Sequence, residues 1–158
     1  MSKETALLLL DTGNIYKDVA KKFSGKRVCY EKFLTALGAD WDIYKKVAFG
    51  AYREANKRAL AFTHALSKLD FVTHFTVLED NTYYNPLADV MIEVFKNVEK
   101  IDWLILGSSS LKYTPLIKFL QENAIKVCMV GCNMSILTTC KPDRIIEINE
   151  SYLISGEI

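Results

Sequence analysis

The run Ala6-Leu-Leu-Leu-Leu10, which continues directly into Asp11-Thr-Gly-Asn14, is the strongest indication of the fold. A short, wholly apolar run is typical of a strand that is buried on both faces, and the turn-forming residues after it end the strand. Such strands occur in parallel sheets that are covered by helices on both sides. The stretch therefore predicts an α/β domain in which Asp11 and Asn14 lie at the carboxyl edge of the first strand.

The rest of the chain alternates similar short runs with apolar residues at helical spacing. Further strands are predicted at residues 46–52, 73–78, 101–106, 126–130 and 144–148. Helices are predicted at about residues 15–23, 30–37, 59–69 and 87–98 and after Thr114-Pro115, with Gly38 ending the second helix. We therefore expect one domain over residues 1–158, a three-layer α/β/α arrangement with a mostly parallel sheet of about five strands.

The composition excludes several classes of protein. The 20 Lys and Arg residues are balanced by 19 Asp and Glu residues, so the net charge does not indicate a nucleic acid or a membrane surface as binding partner. No apolar run approaches the ~20 residues of a membrane span, and the first residues lack a signal-peptide pattern. Four cysteines without CxxC spacing predict buried thiols in a reducing compartment. We expect a cytoplasmic protein with no membrane partner.

Positive charge is nevertheless concentrated in the first 60 residues, which carry 12 Lys and Arg against 7 Asp and Glu. Four of these cations are candidates for contacts with phosphates: Lys45, Lys46, Lys57 and Arg58. The other interpretation is that these cations lie on the outer, solvated faces of helices. Tyr83 and Tyr84 are candidates for stacking on unpaired bases, or else they cover edges of the core.

Polar residues follow two predicted strands, at Asp11-Thr-Gly-Asn14 and at Gly107-Ser-Ser-Ser110. The carboxyl ends of parallel strands meet at one edge of the sheet, where sites in such folds are found. Asp89, near the start of a predicted helix, is expected close to that edge. Gathered carboxylates suggest a divalent metal, because Mg²⁺ prefers carboxylate oxygens and water. The alternative is that Asp11 and Asp89 cap a turn and a helix.

The order and spacing of these motifs resemble the NYN group of PIN-like ribonuclease domains over nearly the whole chain. That family opens with a strand and D-x-x-N, matched here by Asp11-Thr-Gly-Asn14, and has an aspartate at the start of a middle helix, matched by Asp89. Its S-G-D-x-D-F-x-P-L signature aligns without a gap with Ser108–Leu116. The closing segments resemble Asn123–Val127 and Leu137–Ile148.

The signature is degenerate in this chain, because Ser110 and Lys112 stand where the family has its two aspartates. In the family these acids, together with the equivalents of Asp11 and Asp89, hold the metal ion that activates water. Two geometries are open for Lys112. Its ammonium either pairs with Asp11 or Asp89 in the space of the metal, or it points to solvent and leaves a weak metal site.

The resemblance implies an RNA-binding domain with a degenerate metal site, a catalytically impaired relative of ribonucleases. Asp11, Asn14 and Asp89 would be the remaining site residues, beside Ser110 and Lys112. Two alternatives stay open: an active Mg²⁺- or Mn²⁺-dependent ribonuclease that uses Asp11 and Asp89 as weak metal ligands, and a protein-interaction scaffold. We expect no cofactor or a weakly bound Mg²⁺ or Mn²⁺, and RNA as partner, with a partner protein or a homo-oligomer as further possibilities.

Overall fold

The computed structural model describes residues 2–155, in which strands and helices alternate along the chain. In chain order the elements are β1 (Glu4–Asp11), α1 (Thr12–Lys22), β2 (Lys26–Val28), α2 (Tyr30–Asp40), β3 (Trp41–Arg53), α3 (Lys57–Lys68), β4 (Val72–Leu78), α4 (Leu87–Asn97), β5 (Trp103–Gly107), α5 (Thr114–Glu122), β6 (Lys126–Gly131), α6 (Met134–Cys140), β7 (Arg144–Glu147) and β8 (Leu153–Ser155). Short 3₁₀ turns occupy Val98–Lys100, Leu111–Tyr113 and Glu150–Tyr152.

Six of the strands form one parallel sheet in the order β4-β3-β1-β5-β6-β7. β2 and β8 form a separate antiparallel ribbon. The predicted α/β class is confirmed, and the sheet has six strands rather than about five because the four-residue β7 completes one edge. No helix within residues 2–155 combines the length and the apolar character that a membrane span requires.

The leucines of β1 divide the core between the two faces of the sheet. Leu8 and Leu10 pack with buried residues of α1, α2 and α3, whereas Leu7 and Leu9 pack with those of α4, α5 and α6. All four leucines are fully buried, and each contributes about 1.5–3 kcal/mol of apolar burial. This division produces the three layers that the unbroken apolar run predicted.

The winding of the chain reverses between β1 and β5. From β1 the chain proceeds through β3 to β4 on one side, and it returns to build β5, β6 and β7 on the other. A crevice opens at such a switch point, beyond the carboxyl ends of the two neighbouring strands. Asp11 ends β1 and Gly107 ends β5, so the two polar segments singled out in the sequence flank this crevice.

Several local boundaries differ from the sequence-based expectation. Helix α1 begins at Thr12, directly after Asp11, and not at about residue 15. Gly38 was expected to end α2, which was wrong: the helix continues to Asp40, and the Trp41 N–H closes it on the Leu37 carbonyl. The β2–β8 ribbon and α6 were not predicted, because their segments are too short for a clear hydrophobic period.

All four cysteines carry free thiols. Cys128, Cys132 and Cys140 are buried, and Cys29 is half-buried. Burial raises the pKa of the Cys132 thiol to about 11, so this group is uncharged at neutral pH. The expectation of buried thiols is confirmed for Cys128, Cys132 and Cys140, whereas Cys29 is only half-buried.

Candidate functional site

Asp11 is the buried carboxylate at the switch point, beside the crevice between β1 and β5. It is the last residue of β1 and the N-cap of α1, where one carboxylate oxygen accepts the Asn14 N–H at 3.4 Å. Only 5% of the residue is exposed. A carboxylate in this position is stabilised by the helix N-terminus, which agrees with the interpretation of Asp11 as a capping residue. Its second oxygen, Oδ2, remains available for other partners.

That second oxygen is occupied by two groups from the turn after β5. The Tyr113 hydroxyl donates to Asp11 Oδ2 at 3.0 Å, and the Lys112 ammonium lies 3.3 Å from the same oxygen. Ser110 builds this turn, because its hydroxyl oxygen accepts the Lys112 N–H at 3.4 Å as the cap of the 3₁₀ turn. Of the two geometries open for Lys112, the structure therefore has the inward one, with Asp11 as the partner.

Tyr113 was missed in the sequence, although a signal was present. The signature that Ser108–Leu116 resembles has phenylalanine at this position, so the hydroxyl is a departure as informative as Lys112. Tyr113 is fully buried. Burial, followed by the charge and the hydrogen bond of Asp11, raises the pKa of the Tyr113 hydroxyl far above its usual value. The group is therefore a permanent proton donor to Asp11.

Asp89 also receives a tyrosine hydroxyl. It lies exposed in the first turn of α4, where its Oδ2 accepts the Tyr84 hydroxyl at 2.7 Å. Burial, then the hydrogen bond and charge of Asp89, and finally the charge of Asp11 raise the pKa of Tyr84. The charges of Asp11 and Asp89 thus both act on Tyr84. The Tyr84 hydroxyl is bound to Asp89, and its half-buried ring packs against the core. That Tyr84 stacks on a base stays a prediction.

Asn14 fastens α1 to the turn after β5. The Ser109 N–H donates to Asn14 Oδ1 at 2.8 Å, and the Asn14 amide nitrogen donates to the Ser109 carbonyl at 3.4 Å. The Ser109 hydroxyl oxygen accepts the Asn133 N–H at 3.2 Å. A Cβ atom on Gly131 would lie 2.0 Å from the Ser109 Oγ, so only glycine fits beside this serine. Asn14 therefore has a structural role that spacing alone did not reveal.

Asp18 is a third acid near the crevice, one that the sequence analysis did not single out. It lies one turn after Asn14 on α1, and its Oδ2 is buried without a hydrogen-bond partner within residues 2–155. Burial raises its pKa, and Lys21 and the Ser109 hydroxyl offset only part of this effect. The spacing Asp11, Asn14, Asp18, at steps of three and four residues, was the signal that could have found it.

The acids of the crevice do not assemble into a metal centre in the part of the chain that is described. No group of three or more His, Cys, Asp or Glu residues in residues 2–155 has the placement needed to hold a metal ion. The Oδ2 atom of Asp11 is bound by Lys112 and Tyr113, and Asp89 accepts a hydrogen bond from the Tyr84 hydroxyl. The donor set present therefore does not fit the metal that the family resemblance implies.

The four predicted phosphate-binding cations are not on one surface. Lys45 pairs with the buried Glu93 of α4, whereas the Lys46 ammonium lies 5.7 Å from the centroid of the Phe71 ring on the opposite face of the sheet. Neighbouring residues of a strand point to opposite faces, and only register settles which lysine faces which helix. Lys57 and Arg58 begin α3, and both are exposed at the carboxyl edge of the sheet.

Two exposed tyrosines belong to the same edge. Tyr83, in the segment that follows β4, is 94% exposed, and Tyr16, in the second turn of α1, is 72% exposed. Large aromatic rings in water are not explained by core packing. Tyr83 remains a candidate for stacking on a base, and Tyr16 joins it as a residue the sequence did not indicate.

Comparisons with known proteins support the fold and go no further. No protein-family profile matches the chain. No curated protein matches it either. Among solved structures, a protein of unknown function from Vibrio parahaemolyticus superimposes with a TM-score of 0.84 at 18% identity, covering 96% of this chain and 97% of the other. The chain thus shares a whole-domain α/β fold with that structure.

Proposed function

We propose that this chain is a metal-independent domain that binds single-stranded RNA and does not cleave it. The observation that carries the proposal is the Lys112 ammonium, 3.3 Å from Asp11 Oδ2. In the NYN ribonucleases that the sequence resembles, the position of Lys112 is an aspartate and a metal ion neutralises the acids. Here a side chain of the protein itself neutralises Asp11.

The charge of Lys112 opposes a dication at this position. At an effective dielectric constant of about 20, two unit charges about 4 Å apart interact by about 4 kcal/mol. Because a divalent metal ion carries two charges, its repulsion by Lys112 beside Asp11 would be twice as large unless Lys112 left the crevice. It would also have to displace the Tyr113 hydroxyl from the same oxygen. Both costs favour a site that works without metal.

The exposed residues around the crevice, which we call its rim, include the kinds of side chain that bind single-stranded RNA. Base stacking on an aromatic side chain contributes about 1–3 kcal/mol per base, and Tyr83 and Tyr16 are exposed for it. Lys57 and Arg58 supply positive charge at the same edge. The three acids Asp11, Asp18 and Asp89 outnumber the one cation Lys112, so we expect phosphates to follow the rim and bases to approach the centre.

The test is the binding of a fluorescent oligouridylate, measured by anisotropy in the presence of EDTA. Tyr83→Ala should weaken binding about tenfold, as loss of one stacked base predicts. Lys57→Ala with Arg58→Ala should weaken binding and flatten the slope of log K against log salt by about 1.4, at about 0.7 per lost phosphate contact.

Matched controls remove similar side chains elsewhere. Tyr44→Ala takes an exposed tyrosine from the beginning of β3, and Lys32→Ala with Lys68→Ala takes two exposed cations from α2 and α3. The controls should bind like the parent protein. If the rim variants also bind like the parent, or if the RNA is cut in a metal-dependent reaction, the proposal is wrong.

A further inference from the structure

β4 is an edge strand of the six-stranded sheet, and its outer side is unpaired in the described chain. It pairs with β3 along its whole length, from Val47 opposite Val72 to Arg53 opposite Leu78. Among residues 2–155, no backbone group outside β3 forms a hydrogen bond with residues 72–78. The outer side of β4 therefore presents a row of free N–H and C=O groups. The partner that satisfies such a row is another extended segment, which adds one strand to the sheet.

The two edges of the sheet differ in the features that prevent edge-to-edge pairing. β7, at the other edge, has only four residues, and it begins and ends with the exposed charges Arg144 and Glu147. β4 has seven residues, Val72-Thr-His-Phe-Thr-Val-Leu78, without Lys, Arg, Asp, Glu, Pro or Gly. Its pairing with β3 continues without a register shift, so no bulge bends this edge away. Proteins that keep an edge unpaired shorten, charge or bulge it, and β4 has none of these features.

β4 also exposes apolar side chains on both faces of the sheet. Phe75 packs with the core on the α3 side, and the His74 ring stacks on Phe49, which belongs to the core on the opposite side. Because side chains alternate along a strand, Val77 lies on the α3 side and Val72 on the opposite side. Val77 is 50% exposed and Val72 is 43% exposed. A strand added to β4 would cover part of both side chains as well as pair the backbone groups.

We propose that β4 pairs with β4 of a second copy of this chain, which makes the protein a symmetric homodimer with one continuous sheet. A two-fold axis perpendicular to the sheet places the two strands antiparallel, and each subunit then uses the same edge. The uncharged sequence of β4 places no like charges opposite each other within the paired strands. The two outer edges of the combined sheet are then the two β7 strands, which carry the protective features.

The sequence of β4 favours a second copy over other occupants. A nucleic acid would favour cations along the edge, and a charged peptide would favour the opposite charge, but β4 has neither. An unprotected edge is a liability as soon as the chain has folded, and a second copy is present wherever the chain is made. The inference goes beyond RNA binding and does not depend on it, because pairing uses the outer edge of β4 and none of the acids of the crevice.

The first test is the molar mass in solution, measured by sedimentation equilibrium across a range of concentrations. The parent protein should approach twice the 18.0 kDa of the chain. Val72→Lys with Thr76→Lys brings like charges together across the pair, so the dimer dissociation constant should rise at least about tenfold. Thr35→Lys with Thr138→Lys adds the same charge at exposed threonines of α2 and α6 and should dimerise normally. A parent protein that stays monomeric, even one that binds an extended peptide, overturns the proposal, as does a β4 variant that dimerises like the parent.

The second test locates the interface in the parent protein without any substitution. Amide hydrogen exchange at residues 72–78 should slow as the protein concentration rises through the dimer dissociation constant, because pairing protects the outer amides of β4. Exchange at Arg144–Glu147 should not change, since β7 stays an outer edge. A dimer whose formation leaves exchange at residues 72–78 unchanged uses another surface, and the proposal is then wrong.

A complementary variant tests the pairing itself. Val72→Glu with Thr76→Glu should dimerise as weakly as the lysine variant, for the same reason. An equimolar mixture of the two variants should form heterodimers, because lysines of one strand then lie close to glutamates of the other. Circular dichroism establishes that both variants are folded. If the mixture of folded variants stays monomeric, β4 does not pair with β4.

Discussion

Restoring the family's acids should convert the crevice into a metal site. The substitutions are Ser110→Asp and Lys112→Asp, which rebuild the S-x-D-x-D pattern, together with Tyr113→Phe, which frees Asp11 Oδ2. Lys112→Asp alone changes the local charge by two units at a distance of 3.3 Å from Asp11. Lys112 is 31% exposed, so water screens much of the Coulomb energy. We expect a gain of about 2.7 kcal/mol, or about a hundredfold lower Kd for Mn²⁺.

Without metal, the restored variant should be less stable than the parent protein. Its clustered carboxylates repel one another, which raises the pKa of at least one of them and opposes folding. Mn²⁺ relieves this repulsion, and a concentration of 100 times the Kd adds about 2.7 kcal/mol to the free energy of unfolding. The variant should therefore have a low Tm in EDTA and a high Tm in Mn²⁺, whereas the parent Tm should change little.

Calorimetric titration with Mn²⁺ measures the affinity directly. Lys32→Asp makes the same two-unit change of charge as Lys112→Asp, but on the exposed side of α2, and serves as the control, which should bind no more metal than the parent. If the folded triple variant binds Mn²⁺ no better than the parent, the alignment of Ser108–Tyr113 with the nuclease signature is refuted. Metal binding without RNA cleavage would show that substrate positioning has also diverged.

Three further changes test individual contacts by chemical or thermal unfolding. Asp18→Asn should stabilise the protein at neutral pH and progressively less as the pH falls towards about 4. Because the pKa of Asp18 is raised in the folded state, its ionised form destabilises the fold at higher pH, and protonation removes this penalty. An unchanged Tm at neutral pH would contradict this. Lys45→Met should cost about 2–4 kcal/mol by leaving Glu93 buried without its cation, and adding Glu93→Gln should recover part of that loss; additive costs would show that the pair is unimportant. Gly131→Ala should cost about 1–3 kcal/mol by pushing Ser109 away, and a neutral result would mean that the turn yields.

The sequence predicted those parts of the fold that depend on local pattern. Ala6–Leu10 was sufficient to predict a strand buried on both faces, and its polar ending correctly located Asp11 at the crevice. The β2–β8 ribbon was missed because three-residue strands carry no readable period. Gly38 was misread because a glycine without a positive φ is tolerated inside a helix.

The geometry of the candidate site depends on contacts between segments far apart in the chain. Whether Lys112 turned inward could not be decided from its neighbours, since the outcome depends on Asp11, about one hundred residues away. Lys45 and Lys46 looked equivalent in sequence, but strand pleating sends them to opposite faces. Asp18 was overlooked because an aspartate on an amphipathic helix usually faces water.

The most direct test of a metal-independent RNA-binding domain is one oligouridylate titration carried out twice, first in EDTA and then in millimolar Mg²⁺, with the RNA recovered and sized after each. With Lys112 paired to Asp11, the two dissociation constants should agree within about a factor of two, and the RNA should remain full length. Binding that requires Mg²⁺, or cleavage that Asp11→Asn abolishes, would contradict the account and identify the crevice as a working metal-dependent ribonuclease site.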